Sequence, residues 1–60
     1  MPFVSVKLYE HRLNRDTEPK IIRAVTDALV SVLGEEVRAA TWVVLEPIPP
    51  RRWGVGGAPE

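Results

Sequence analysis

Apolar and polar side chains alternate along the start of the chain. Val4, Val6 and Leu8 fall on one face of an extended segment, and Ser5 and Lys7 on the other, which predicts a strand over residues 2–9. Phe3 and Tyr9 add bulk of the kind strands favour. Residues 10–16, EHRLNRD, break the alternation and predict a polar loop that carries His11, Arg12 and Arg15. The period then changes. Ile21, Ile22, Val25, Ala28, Leu29, Val32 and Leu33 recur at three- and four-residue spacing, one apolar stripe of a helix from about 17 to 33. Asp16 or Thr17 is placed to cap it, and Pro19 suits a first turn, where its missing N–H costs nothing. Gly34 is a natural stop.

Residues 39–46, AATWVVLE, predict a second strand. Its run Trp42-Val43-Val44-Leu45 is apolar on both faces, as in a strand covered on both sides. Pro47, Pro49 and Pro50 are expected to end it. The following RRWGVGG reads as a turn or short hairpin, with Ala58, Pro59 and Glu60 expected to fray. Strand, helix, strand makes a β-α-β unit of the α+β class, with parallel strands and a right-handed crossover. No internal repeat or domain boundary is visible, so residues 1–60 are expected to form a single domain. One such unit leaves a two-stranded sheet with a bare face and open edges, which another copy is expected to cover.

Composition sharpens that expectation. A chain of 60 residues buries only about 60% of its unfolded surface. Ordering costs of roughly 1.5 kcal/mol per residue nearly cancel the return. The chain has no cysteine and one histidine, His11, so disulfides and thiolate zinc sites are excluded and no metal is expected. Self-association is the remaining support. Eight acidic and eight basic residues cancel, leaving no bulk field to draw nucleic acid or an anionic membrane. No apolar run approaches the roughly 20 residues that span a bilayer. The first residues lack the basic and apolar pattern of a signal peptide, and a cytoplasmic location is expected.

Few residues offer chemistry. Initiator methionine is usually removed ahead of a small second residue, and removal of Met1 would expose the secondary amine of Pro2. A free α-amine titrates near about 7.7–8.0. Burial against Phe3 or Trp53, or a nearby guanidinium, disfavours its charged form and suits it to general base catalysis. The plainer reading is a proline that merely follows the start codon, and a retained Met1 turns the amine into an amide. Arg12 presents a planar fork that can hold a carboxylate, or it is a solvated loop arginine beside Arg15. Glu10 and Asp16 can pair with these cations, and His11 receives no role. Trp53, behind Arg51 and Arg52 and ahead of GVGG, either walls a small anion pocket or anchors one subunit to another. Trp42 reads as core or interface. The glycines do not form a phosphate-binding loop. Nucleophile elbow, metal-ligand spacing, paired carboxylates and an aromatic-interleaved basic stripe are all missing from the sequence.

Taken in order, Met-Pro, the first strand, Glu10-x-Arg12, the amphipathic helix, a strand ending in Glu46 and Trp53-Gly-x-Gly-Gly resemble the 4-oxalocrotonate tautomerase family, from Pro2 to Gly57. The resemblance implies a β-α-β subunit with a carboxy-terminal hairpin, assembled into homo-hexamers or into hetero-hexamers of two chains. It also implies cofactor-free chemistry on small unsaturated acids. By motif match Pro2 is the base, Arg12 binds a substrate carboxylate and Trp53 lines the apolar end of the pocket, with residues converging from different subunits.

The chain also departs from the family pattern. Thr41 stands where the family carries a second arginine, and the loops before the helix and before Trp53 are each one residue longer. A hydroxyl can donate a hydrogen bond but does not stabilise a dienolate as a cation does. Such a loss typically costs a few kcal/mol, about two to three powers of ten in rate. Arg51 or Arg52 can compensate, or a second chain can. Three readings follow, in order of preference. The first is an isomerase acting on a 2-hydroxydienoate or related enol acid. The second is a non-catalytic subunit of a hetero-oligomer. The third is a Pro2-based hydratase, dehalogenase or Michael-type enzyme, which needs an acid that Glu10 and Glu46 suggest only by position.

Overall fold

The computed structural model describes residues 2–59, so Met1, its removal and Glu60 lie outside the described residues. Strand β1 (Phe3–Tyr9) leads through a 3₁₀ turn at Glu10–Arg12 into helix α1 (Thr17–Leu33). A second 3₁₀ segment, Glu35–Ala40, precedes strand β2 (Trp42–Ile48). A third, Pro50–Arg52, precedes the short strands β3 (Gly54–Val55) and β4 (Ala58–Pro59). Strands β1 and β2 pair in parallel, from Phe3 opposite Trp42 to Tyr9 opposite Ile48. This is the expected β-α-β unit with a carboxy-terminal hairpin.

The helix bounds agree with the sequence reading, but its start is built differently. Asp16 occupies the cap position without a side-chain cap bond. Instead the Asn14 carboxamide oxygen accepts the N–H groups of Asp16 and Thr17, at 2.8 and 2.9 Å. The Thr17 hydroxyl accepts the Asn14 N–H and donates to the Arg12 carbonyl, both at 3.0 Å. These bonds fix the turn that carries Arg12 against the start of α1. At the other end the Gly34 N–H reaches the Val30 carbonyl at 2.9 Å. Gly34 has φ 104° and ψ 158°, a region open essentially to glycine alone. Gly34→Ala is therefore expected to cost about 2 kcal/mol, which thermal melting would show as a fall of roughly 10 °C.

The second strand departs from expectation at both ends. Ala39 and Ala40 belong to the 3₁₀ segment, because the Thr41 hydroxyl donates to the Val37 carbonyl at 2.7 Å and the Thr41 N–H to the Arg38 carbonyl at 3.2 Å. Pairing starts only at Trp42, whose N–H donates to the Pro2 carbonyl at 2.9 Å. Pro47 does not end the strand. Successive residues point their amide groups to alternate sides, so Trp42, Val44 and Glu46 face β1 while the Pro47 nitrogen lies on the outer edge, where no donor is needed. Ala58 and Pro59 do not fray either. They pair with Val55 and Gly54 around a two-residue turn in which Gly56 and Gly57 have φ 63° and 86°, the positive angles such a turn requires.

Within one chain β2 is covered on one face only. Exposure alternates along both strands, with Val4, Val6, Leu8, Val43 and Leu45 half-buried on the face that α1 covers. On the other face Phe3 is 62%, Trp42 57% and Val44 40% exposed. One helix can cover only one side of a two-stranded sheet. No described residue is buried. The radius of gyration, 14.0 Å, exceeds the roughly 10 Å of a compact chain of this length.

Candidate functional site

Parallel pairing puts both strand starts at one end of the sheet and both strand ends at the other. Pro2 and Thr41 stand at the first end, and Arg12, Arg52 and Trp53 at the second. The seven residues of β1, at about 3.3 Å each, separate the two groups by roughly 20 Å. One chain therefore brings together subsets of the five candidate residues, and does not bring Pro2 to Arg12.

At the first end Pro2 is half-buried and held through its carbonyl by Trp42 N–H. The first pair of the register, Phe3 and Trp42, presents the most exposed aromatic side chains on the open face. The Thr41 hydroxyl is turned back onto the Val37 carbonyl, so its proton is already committed. Arg38, three residues before Thr41, donates to Glu35 at 2.5 Å and to Asp27 at 2.8 Å. The bond to Glu35 and then that to Asp27 raise the Arg38 pKa above its ordinary value. Two carboxylates thus neutralise the cation nearest in sequence to Thr41.

At the second end Trp53 donates its indole N–H to the Ile48 carbonyl at 3.3 Å and packs on Tyr9, with ring centroids 4.8 Å apart and tilted by 34°. Tyr9 also meets the His11 ring at 5.8 Å. Trp53 is therefore seated on its own strand ends, far along the sheet from its own Pro2. Arg51 and Arg52 are exposed on the 3₁₀ turn before it. Arg12 lies beside a groove of about 470 Å³ between the end of β1 and α1, lined by Leu8, Arg12, Thr17, Lys20, Ile21 and Ala24.

Sequence reasoning missed a cluster between the two ends. Ser5 donates its hydroxyl to the Glu46 carboxylate, and Lys7 Nζ lies 3.3 Å from the same oxygen. The Ser5 bond first, and then Lys7, hold the Glu46 carboxyl below the ordinary carboxylate range. Glu46 is thus an ionised acceptor at neutral pH, engaged by Ser5 and Lys7. The signal for this cluster is the register that places Lys7 opposite Glu46, which neither strand reveals alone. Among the described residues no group of three or more His, Cys, Asp or Glu side chains stands close enough to hold a metal ion. No described helix is long and apolar enough to cross a membrane.

Comparison with known proteins gives a consistent picture. Residues 2–59 match the profile of the family described as Tautomerase enzyme. A protein of methicillin-resistant Staphylococcus aureus superposes with a TM-score of 0.85 at 34% identity, covering 97% of this chain and 90% of that one. TomN, a 4-oxalocrotonate tautomerase homologue of the tomaymycin biosynthetic pathway, gives 0.85 at 33% identity over 97% and 86% of the two chains. A structure from the study of the 4-oxalocrotonate tautomerase isozymes of Methylibium petroleiphilum gives 0.83 at 26%, over 97% and 90%. No curated protein sequence matches at a significant level.

Proposed function

The chain belongs to the tautomerase enzyme family, and within it we propose a cofactor-free isomerase that uses the Pro2 amine, freed by removal of Met1, as its general base. The substrate is a small 2-hydroxydienoate or related enol carboxylic acid. The Pro2 nitrogen takes the enol hydroxyl proton and delivers it to a carbon of the conjugated chain. The enol becomes a ketone, the double bond shifts, and the nitrogen returns to its starting state with no net change of oxidation.

The observation that carries this reading is the setting of Pro2. A carbonyl bond to Trp42 holds it at the sheet end, beside the exposed aromatic groups of Phe3 and Trp42. Apolar surroundings of that kind favour the neutral amine, the form a base needs. Arg12 binds the carboxylate, and Trp53 and Arg52 line the far side of the pocket. A small acid cannot span roughly 20 Å of strand, so Pro2 of one copy works with Arg12 of another. Such an assembly, a hexamer of like chains, also covers the bare sheet face.

A second reading is favoured by one observation: the inward Thr41 hydroxyl and the neutralised Arg38 leave the Pro2 end without a committed cation of its own. In that reading a second, related chain supplies the cation and this one is a subunit of a hetero-oligomer.

Alkylation separates the two. Purified protein is treated with 3-bromopropiolate across a pH series and examined by mass spectrometry, which also reports whether Met1 is present. Rapid labelling confined to Pro2, with an apparent pKa below the ordinary α-amine range of about 7.7–8.0, supports the base. Slow labelling with an ordinary pKa, on protein that lacks Met1, turns the choice to the hetero-oligomer.

A further inference from the structure

Building on the role of Arg12 proposed above, we infer that the groove between the end of β1 and the first half of α1 is the acid-binding subsite. Its second cation is Lys20, and the acid it takes carries an apolar arm next to its carboxylate. Thr17, Lys20, Ile21 and Ala24 are spaced i, i+3, i+4 and i+7, so they form one face of α1, and Leu8 closes the groove from the sheet. The floor is therefore hydrocarbon from Leu8, Ile21 and Ala24.

Arg12 and Lys20 both line the groove, and each is available in its own way. The backbone of Arg12 is fixed by the Thr17 hydroxyl on its carbonyl. Its guanidinium has no hydrogen-bond or ion-pair partner among the described residues. Lys20 meets Asp16 at 3.3 Å, with both side chains about three-quarters exposed (74% and 76%). Exposed pairs one helical turn apart are weak, and Asp16 does not line the groove. A ligand carboxylate can therefore draw Lys20 away while the lysine stem stays on the apolar surface. Arg12 offers a two-pronged contact and Lys20 a single point charge.

The Thr17 hydroxyl proton is spent on the Arg12 carbonyl, so the floor gives a free phosphate no further donor. Charge on the rim and hydrocarbon beneath match a carboxylate whose next carbons are apolar.

The test reads binding without turnover. Sorbate, an unsaturated monocarboxylate, and its neutral amide sorbamide are titrated into the intact protein while the Arg12 Nε–H signal is followed by NMR. Sorbate is expected to shift that signal and sorbamide to leave it in place. Lys20→Gln is expected to raise the sorbate dissociation constant roughly five-fold. Asp16→Asn, which releases Lys20, should lower it, and Arg23→Gln, outside the groove, should leave it unchanged.

Equal binding of sorbate and sorbamide overturns the inference, as does a Lys20→Gln protein with wild-type affinity. If Lys20→Gln weakens self-association and spares sorbate, the groove is a contact between copies and the inference fails. A protein that fails alkylation at Pro2 but passes this test loses the base and keeps the subsite.

Discussion

Pro2→Ala is expected to cut isomerase turnover by about two powers of ten, and Pro2→Leu by about four, the range over which a positioned general base contributes. The two variants remove different things. Alanine is small, so Met1 is still cleaved and an α-amine remains at the start of β1. What is lost is the ring, which fixes φ near −65° and with it the direction of the nitrogen lone pair. Leucine is bulky, so Met1 is retained and the nitrogen becomes an amide without basicity. The grading between the variants is therefore the diagnostic.

Folding should hardly respond to either change. Position 2 contributes to the sheet through its carbonyl, which accepts the Trp42 N–H, and any residue supplies a carbonyl. Steady-state kinetics on a 2-hydroxydienoate should show kcat and kcat/KM falling together with KM little changed, since the base acts only on the moving proton. Wild-type kcat in Pro2→Leu would sink the base assignment.

How much of this could be read from the chain alone depends on the range of the physics involved. Helix α1 was legible to the residue because three independent signals agree: the apolar stripe, Pro19 in the first turn and Gly34 at the stop. Its cap was not, since Asn14, Asp16 and Thr17 all have capping side chains within four positions and only geometry chooses Asn14. The bounds of β2 were misread for a similar reason. The Thr41 hydroxyl closes a turn onto Val37, which takes Ala39 and Ala40 out of the strand. Pro47 stays in because its nitrogen faces away from β1, a fact set by pairing rather than by composition.

The candidate site divides along the same line. Pro2, Arg12 and Trp53 were legible as residue types at meaningful places, and the parallel order of the strands shows why one chain cannot unite them. The Ser5–Lys7–Glu46 cluster joins residues about forty positions apart and needs the register to be seen at all. Nothing in the sequence marks Lys20 out from the other charges of the helix. Its place on the rim of the Arg12 groove comes from the way α1 lies across the end of β1.

The second large effect is expected from Trp42→Glu, which should break the assembly. Phe3, Trp42 and Val44 form an exposed apolar strip on the face that α1 does not cover. Covering a large apolar side chain is worth about 1.5–3 kcal/mol. An unpaired carboxylate in its place adds a desolvation penalty of several kcal/mol. In a two-fold contact both terms count twice, so the substitution should weaken association by more than about 5 kcal/mol per pair of copies, over three powers of ten in the dissociation constant. Sedimentation at micromolar concentration should then show a single-chain species in place of a multiple. Because the chain buries no described residue on its own, that species should also melt earlier. Trp42→Phe keeps the apolar surface and should keep the assembly, which separates lost contact from lost fold. Turnover gives the decisive comparison. If Pro2 and Arg12 act on one substrate from different copies, activity must fall with the oligomer. A Trp42→Glu protein that sediments as a single chain and remains fully active would show that the site is complete within one chain, against the roughly 20 Å that β1 places between its parts.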